Sequence, residues 1–282
     1  MGHRSVRVGT CGWIYRHWRD RFYPPGLSPT RWRDAYIANF PAVEVDYSFY
    51  RLPSTAAIEA WRSAAEAAPG FRFALKGSRL ITHVRRLADV DKALDTYIAR
   101  VRPLGRALAF VLWQLPPTLE LDLPRLVTFL DRLPADLRHC VEFRHPSWLV
   151  PPVLDALHAR SVACCWVSSR AMPAEAPDTS SFVALRFHGL GGGFAHDYTD
   201  EELAPWVERL RAAAASGREA YAFFNNDGDA RAPADARELI GLLGDAAMPW
   251  PPEGVGAPVP SPRRSVGPPR GPSTRIDVEA PS

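Results

Sequence analysis

Short apolar runs alternate along this chain with longer segments in which apolar residues recur every three or four positions. Eight such runs lie within the first 226 residues, at 6–9, 43–45, 71–75, 107–112, 140–143, 162–167, 182–187 and 219–224. Short continuous apolar runs are typical of strands that are buried on both faces. The pattern therefore predicts eight buried strands.

The segments between these runs have the apolar spacing of helices that pack on a sheet. Helices are predicted at 28–40, 54–67, 89–102, 123–133, 147–160, 199–214 and 234–243, whereas 169–179, after the sixth run, lacks the pattern. Ser28, Ser54 and Ser147 are predicted N-cap residues, and Thr199 with Glu202 predicts a capping box. Because strand–helix alternation favours parallel pairing, we predict an α/β fold, a TIM-type (β/α)8 barrel whose sixth helix is short or missing.

A doubly wound open sheet is the alternative architecture. Such sheets typically carry a G-x-G-x-x-G turn after the first strand, and Gly9 and Gly12 do not complete that motif. Residues 1–248 are therefore predicted to form one barrel domain. From residue 249 onward Pro, Gly, Ser and Arg dominate, a composition that buries too little apolar surface to offset the entropy of ordering. Residues 249–282 are predicted to be a disordered tail.

Composition narrows the class of protein. The chain has 282 residues, 46% of them hydrophobic, which is enough for one barrel-sized core. Its net charge is only +3 and its cations are scattered, so nucleic-acid binding is not expected. Four cysteines without C-x-x-C spacing indicate a reducing, cytoplasmic location, and no apolar run is long enough to span a membrane. The oligomeric state is left open.

Charged and polar residues follow the carboxyl ends of several predicted strands. Side chains two positions apart on a strand share a face. Three pairs have this spacing: Glu44 and Asp46, Glu142 and Arg144, and Arg186 and His188. The intervening Val45, Phe143 and Phe187 suit a layer that faces the helices. The pairs are therefore predicted to face the barrel mouth, where TIM barrels hold their active sites.

Together these residues form a candidate acid/base set. Carboxylates among cations stay ionised and accept protons, a histidine beside them titrates near neutrality, and arginines bind carboxylate or phosphate groups. The predicted catalytic residues are Glu44, Lys76, Glu142 and His188. The predicted substrate-binding residues are Trp13, Asp46, Tyr50, Arg51, His83, Gln114, Arg144, Arg186, Asn225 and Asn226.

Lys76 stands out by residue usage. The chain has 34 lysines and arginines, and Lys76 and Lys92 are its only lysines. A lysine can change protonation state or attack a carbonyl, which a guanidinium cannot do. Tight packing is an equally good explanation. Likewise, the charged pairs at the mouth could simply neutralise one another as structural ion pairs.

Glu44, Asp46, Glu142 and His188 could also hold a divalent cation. The chain has no H-x-H or H-E-x-x-H spacing, and the neighbouring cations would repel the ion. No metal ligands and no cofactor are therefore predicted, although a divalent metal stays open as an alternative.

The strand-end motifs together resemble the domain of unknown function 72 family, also called YecE-like. The motifs are GTCGW at 9–13, FYP at 22–24, VEVDYSFYRLPS at 43–54, FRFALKGSRLITHVRRL at 71–87, QLPP at 114–117, VEFRHPSW at 141–148, RFHG at 186–189 and FFNN at 223–226. The resemblance covers about residues 6–244 and implies a TIM-type barrel, but no established activity. Cys11, Asp46, Asp235 and Ser168–Ser169 depart from the residues common in that family.

The leading hypothesis is an enzyme, a hydrolase or an isomerase, that uses general acid/base chemistry on a small anionic or sugar-like substrate at the carboxyl end of the barrel. A glycosidase would need its two carboxyl groups about 5–9.5 Å apart. One alternative is a divalent-metal-dependent phosphoesterase, which could act on nucleic acid. The other is a non-catalytic barrel that binds a metabolite.

Overall fold

The computed structural model describes residues 5–252 and residue 255, and nine parallel strands form a single sheet within them. The strands are β1 (Val6–Cys11), β2 (Ala42–Val45), β3 (Arg72–Lys76), β4 (Leu108–Gln114), β5 (His139–Glu142), β6 (Ala163–Cys164), β7 (Trp166–Ser168), β8 (Phe182–Phe187) and β9 (Glu219–Phe224). Their order across the sheet is β6, β5, β4, β3, β2, β1, β9, β8, β7.

The two edges of this sheet are halves of the sixth predicted strand. Cys165 separates β6 from β7, and its backbone N–H donates to the carbonyl of Val141 at 2.8 Å. β6 pairs with β5, whereas β7 pairs with β8. Since one short stretch of chain joins both edges, the sheet curls into a nearly closed barrel of eight strand positions, which confirms the predicted TIM-type fold.

Helices cover the outside of the barrel. They are α1 (Trp32–Ile37), α2 (Tyr47–Tyr50), α3 (Thr55–Ala67), α4 (Asp91–Val101), α5 (Leu123–Leu130), α6 (Pro151–His158), α7 (Asp200–Ala215) and α8 (Arg231–Leu243). The fully described stretch between β7 and β8 contains no α-helix, so the missing sixth helix is confirmed. The one-turn helix α2 and a π-helical turn at Leu80–Val84 were not predicted.

Two of the four predicted helix starts have the expected cap. The Ser54 hydroxyl accepts from the backbone N–H of Ala57 at 3.1 Å, and Thr199 with Glu202 forms the capping box. Ser28 makes no cap bond, because its hydroxyl bonds to Thr30 instead. The Ser147 prediction is wrong: this residue lies inside a 3-10 turn capped by the His145 side chain, and α6 begins only at Pro151.

Aromatic residues fix which face of each strand points into the barrel. Phe73 stacks on Trp61 of α3, so its side chain lies in the outer layer between strands and helices. Phe110 packs against Phe182 and Tyr221, with ring centroids 5.2 and 5.5 Å apart, and these three rings fill the barrel interior. Residues four positions later on the same strands share that interior face and lie at the mouth.

The start of the predicted tail contacts the barrel. The indole N–H of Trp250 donates to the carbonyl of Ile37 at 2.6 Å, and its ring lies 6.1 Å from that of Phe71. Val255 lines a groove beside α1 and α3. The remainder of the predicted tail, residues 253–254 and 256–282, lies outside the described residues.

None of the helices in the described part of the chain combines the length and the apolar composition that crossing a bilayer would need.

Candidate active site

Arg186 on β8 is the central side chain of the barrel mouth. It is 1% exposed, and its Nη2 lies 2.6 Å from Glu44 Oε1 while its Nη1 lies 2.5 Å from Glu142 Oε2. Nη1 also donates to Gln114 Oε1 at 3.1 Å. Because the guanidinium lies between the two carboxylates, it fills the space that a glycosidic bond would need there. This placement favours a positioning role for Arg186 over the predicted anion-binding role.

Glu142 is held as a fixed anion. It is fully buried, and its Oε1 lies 2.9 Å from both Arg144 Nη1 and His188 Nε2. Burial alone would raise its pKa, but Arg186, His188 and Arg144 together hold the pKa of Glu142 well below its ordinary value. A carboxylate with this many donors is a poor proton acceptor near neutral pH, so the contacts support a structural role for Glu142.

His188 bridges Glu142 and the last strand. Its Nε2 faces Glu142, and its Nδ1 lies 3.2 Å from Asn225 Nδ2. Burial lowers the pKa of His188 to about 4, although Glu142 opposes this shift. The neutral tautomer with its hydrogen on Nε2 satisfies both contacts. The expectation that His188 titrates near neutrality is therefore not met, because desolvation outweighs the nearby carboxylate.

Glu44 is a buried carboxyl group whose pKa is raised towards neutral pH. It is fully buried, one oxygen contacts Arg186, and Oε2 has no hydrogen-bond partner among the described residues. An oxygen of Asp46 lies within 4.8 Å of Glu44. Burial raises the pKa of Glu44 to about 7, and the charge of Asp46 adds to the effect while Arg186 opposes it.

Asp46 is the charged partner in this carboxyl pair. Burial opposes its ionisation, but Lys76 and Arg186 outweigh burial and lower the pKa of Asp46. Lys76 Nζ lies 3.3 Å from Asp46 Oδ1, and the Asp46 side chain is 25% exposed. Just below neutral pH the pair thus carries one proton, which resides on the buried Glu44, while the more accessible Asp46 is ionised. Two like carboxyl groups with separated pKa values are typical of proton-transfer sites.

Lys76 and His83 both contact the ring of Phe49. Lys76 Nζ is 4.5 Å from the centre of the Phe49 ring, and the His83 ring packs edge-on against the same ring at 4.8 Å. Burial, followed by repulsion from Lys76, lowers the pKa of His83 to about 4. His83 Nδ1 also bonds to the Thr82 hydroxyl at 2.9 Å. With His83 uncharged, the cations that contact the carboxyl pair are Lys76, at Asp46, and Arg186, at Glu44.

A cavity of about 550 Å³ opens beside the carboxyl pair. Its lining residues include Trp13, Tyr15, Asp46, Tyr47, Tyr50 and Trp61. Tyr50 is 77% exposed and Tyr47 is 48% exposed, so two aromatic rings face solvent next to an ionised carboxylate. Trp13 is buried at the floor, where it packs edge-on against Trp61. Rings that surround a polar group are typical of sites that bind a small molecule with a flat or sugar-like face.

Two of the predicted binding residues lie away from these contacts. Asn226 is fully buried on the outer face of the barrel, where its side-chain N–H groups donate to Asp235 of α8 at 2.6 Å and to the carbonyl of His196 at 2.9 Å. The neighbouring Asn225 faces inward, because adjacent strand residues point to opposite faces. Arg51 is exposed after α2.

Cys11 and Tyr15 were absent from the predicted site. Arg186 Nη2 lies 3.5 Å from Cys11 Sγ, and the Tyr15 hydroxyl donates to the carbonyl of Cys11. Cys11 pairs in register with Glu44 on the neighbouring strand. The alternation used for the charged pairs would have placed Cys11 at the mouth, whereas nothing in the sequence pattern locates the loop residue Tyr15.

Cys11, Glu44 and Asp46 each offer one metal-ligand atom within 4.8 Å of the others. The same groups already contact cations, since Arg186 binds Glu44 and Lys76 binds Asp46. A divalent ion at this position would be repelled by both side chains. The donor set therefore fits a proton-sharing pair better than a metal centre.

A family model described as "Protein of unknown function DUF72" matches residues 7–257 of this chain. The UPF0759 protein YunF of Bacillus subtilis (strain 168) is 24% identical over 271 residues, which cover 84% of this chain and 94% of that protein. The UPF0759 protein YecE of Escherichia coli (strain K12) is 29% identical over 154 residues, which cover 52% of this chain and 56% of that protein.

Solved structures share the barrel. The crystal structure of a DUF72 family protein from Thermotoga maritima MSB8 matches with a TM-score of 0.76 at 24% identity, covering 85% of this chain and 99% of that one. A DUF72 family protein from Enterococcus faecalis V583 matches with a TM-score of 0.72 at 19% identity, covering 84% and 95%. At these identities the likeness shows the fold alone.

Proposed function

This chain belongs to the DUF72 family of proteins of unknown function, and from the geometry of its barrel mouth we propose that it is an enzyme of general acid/base type. Its substrate is a small anionic or sugar-like molecule that binds in the aromatic cavity beside Asp46. The observation that carries the proposal is the carboxyl pair of Glu44 and Asp46. In this pair a buried oxygen of Glu44, which has no hydrogen-bond partner among the described residues, lies next to an ionised, partly accessible carboxylate.

Each side chain at the mouth has a distinct part in this proposal. Asp46 exchanges a proton with the substrate, and Glu44 supplies or stores that proton behind it. Lys76 neutralises charge that develops on the substrate, and Tyr47 and Tyr50 stack on its ring. Glu142 with Arg186 holds the pair in position. Transferring a proton at a carbon or oxygen of the ligand is common to isomerases and hydrolases, so the pair supports both reaction types.

Deuterium exchange tests this function directly. The full chain is incubated in D2O with a panel of sugar acids and sugar phosphates, and NMR follows turnover and deuterium incorporation into each compound. We expect at least one compound to react, and Asp46→Asn and Glu44→Gln to lower the rate by about 100-fold or more, as removal of a general acid/base does. Asp34→Asn is the matched control, because Asp34 is an exposed carboxylate on α1.

Two results would contradict the proposal. Saturable binding of a compound that is neither converted nor exchanged would favour the non-catalytic barrel. Equal rates in Asp46→Asn, Asp34→Asn and the unchanged protein would show that the carboxyl pair takes no part in the reaction.

The second candidate, a divalent-metal-dependent phosphoesterase, rests on the three donor atoms of Cys11, Glu44 and Asp46. Parallel reactions with phosphate esters and added Mg²⁺, Mn²⁺ or Zn²⁺ distinguish it. Activity that requires the metal and is lost in Cys11→Ala would favour this candidate, since the carboxyl-pair mechanism uses no thiol ligand.

The proposal also includes a cytoplasmic location. Four buried cysteines without disulfide bonds support it.

A further inference from the structure

Arginines surround the opposite end of the barrel, where the strands begin. Arg7 lies on β1, Arg72 opens β3, and Arg138 directly precedes β5. Together with Arg106 and Tyr221, Arg72 and Arg138 line a pocket of about 260 Å³. This end is separated from the carboxyl pair by the aromatic interior of the barrel, so the pocket is distinct from the proposed active site.

The charges in this pocket do not balance. Its lining includes two carboxylates, and both already have partners: Glu219 contacts Arg7 at 2.9 Å and also Arg138, and Asp136 contacts Arg102. Arg72 forms no ion pair with any described residue, and its guanidinium donates to the carbonyl of Phe71 at 3.0 Å. Burial, followed by repulsion from Arg7, lowers the pKa of Arg72, and attraction by Tyr221 and the already paired Glu219 offsets this only in part. A half-buried guanidinium whose charge is only partly offset is costly unless an anion accompanies it.

Two of the guanidinium groups at this end, those of Arg7 and Arg138, pack against the aromatic floor of the barrel. Arg7 lies over the Tyr221 ring at 5.7 Å, and Arg138 lies over the Phe182 ring at 5.5 Å. Phe110 packs against both rings from inside. Cations that are pre-positioned against an apolar surface lose little entropy on binding an anion and attract it in a medium of reduced dielectric constant.

We propose that this pocket binds a phosphate-type oxyanion, with Arg72 as its principal donor and Arg138 and Arg106 beside it. Guanidinium groups match the oxygens of a phosphoryl group in pairs, and the pocket is smaller than an ordinary drug-sized site, which suits a small anion. The same chemistry is offered by free inorganic phosphate and by the phosphoryl group of a phosphorylated metabolite.

Isothermal titration of the full chain with inorganic phosphate, against sodium chloride at equal ionic strength, tests the site. We expect saturable binding of one phosphate, weakened at least tenfold in Arg72→Gln and unchanged in Arg62→Gln. Arg62 is an exposed arginine on α3 and serves as the matched control. A second titration with glycerol phosphate distinguishes free phosphate from a phosphorylated metabolite as the ligand, because a site for a phosphorylated metabolite would bind the ester more tightly than inorganic phosphate. Absence of saturable binding, or equal binding by both variants, would overturn the proposal.

Thermal unfolding, measured with and without phosphate, distinguishes a binding role of Arg72 from a purely structural one. Because Arg72 is repelled by Arg7 and forms no ion pair in the described part of the chain, Arg72→Gln should melt at the same temperature as the unchanged protein or higher, and phosphate should raise the melting temperature of the unchanged protein alone. A lower melting temperature of Arg72→Gln, with no effect of phosphate on either protein, would contradict the site. Arg106→Gln, at an exposed lining position, gives the same comparison if Arg72→Gln does not fold.

Discussion

Glu44 and Glu142 both contact Arg186, yet their pKa values shift in opposite directions. Glu142 has two further donors, Arg144 and His188, at 2.9 Å, and these stabilise its charge. Glu44 has the carboxylate of Asp46 beside it instead, and its second oxygen has no partner in the described part of the chain. The number of donors around each carboxylate therefore decides which one is a fixed anion and which one holds a proton near neutral pH.

The raised pKa of Glu44 predicts a pH-dependent cost to stability. Its carboxyl group has an ordinary value of 4.5 and a value of about 7 in the folded chain. The folded state thus binds more protons than the unfolded state between these pH values, and its stability falls as the pH rises through that range. We expect a loss of about 3 kcal/mol, since one pKa unit corresponds to about 1.4 kcal/mol.

Glu44→Gln should remove this loss, because glutamine resembles the protonated side chain. The measurement is the free energy of unfolding in urea at pH 5, 6, 7 and 8, taken as the difference between Glu44→Gln and the unchanged protein. Glu59→Gln, an exposed position of α3, is the control and should show no such trend. If the curves of Glu44→Gln and the unchanged protein run parallel, Glu44 is ionised across the whole range.

Strand alternation correctly predicted which charged residues meet at the mouth, because the side-chain period of a strand is fixed by its backbone. Glu44, Glu142 and Arg186 come from three strands and still converge as expected. Their protonation states could not be predicted in the same way. Protonation states depend on contacts between strands, such as the ion pair of Asp46 with Lys76. The lengths of such contacts cannot be predicted from the sequence.

Strands were easier to locate from the sequence than helix starts. The runs at 182–187 and 219–224 coincide with β8 and β9, since buried parallel strands leave a continuous apolar signal. The break between β6 and β7 at Cys165 was not predicted from the sixth run. The strand changes its pairing partner there, and such a change does not alter the pattern of apolar residues. Ser147 was misjudged because prolines on either side favour a turn before the helix.

The helix caps give a direct test at this scale. The Thr199 hydroxyl accepts from the backbone N–H of Glu202 in the capping box of α7. Thr199→Ala removes that bond and should lower the free energy of unfolding by about 1 kcal/mol. Ser28→Ala is the matched control, because Ser28 precedes a helical turn without forming a cap bond, and it should change stability by a few tenths of a kcal/mol at most. Equal losses in both variants would show that the capping box contributes nothing specific.

Composition and contacts place the end of the barrel domain differently. The composition predicts a boundary after residue 248, but the chain continues to contact the barrel beyond it. The backbone N–H of Met248 donates to the carbonyl of Val6 on β1 at 2.8 Å, and the indole of Trp250 reaches Ile37 on α1. Residues 248–250 therefore close over the beginning of β1 and the end of α1.

Two shortened chains locate this boundary. Ending the chain after residue 248 removes the indole hydrogen bond and the packing of Trp250 near Phe71, so unfolding should require about 2 kcal/mol less free energy. Ending it after residue 255 keeps both contacts and should leave stability unchanged, because the composition of 256–282 predicts a segment without a core. Urea unfolding of both proteins, with Trp250→Phe to isolate the indole N–H, measures each part. Equal stability of the two shortened chains would put the boundary at 248, and a loss in the longer one would show that residues beyond 255 also stabilise the barrel.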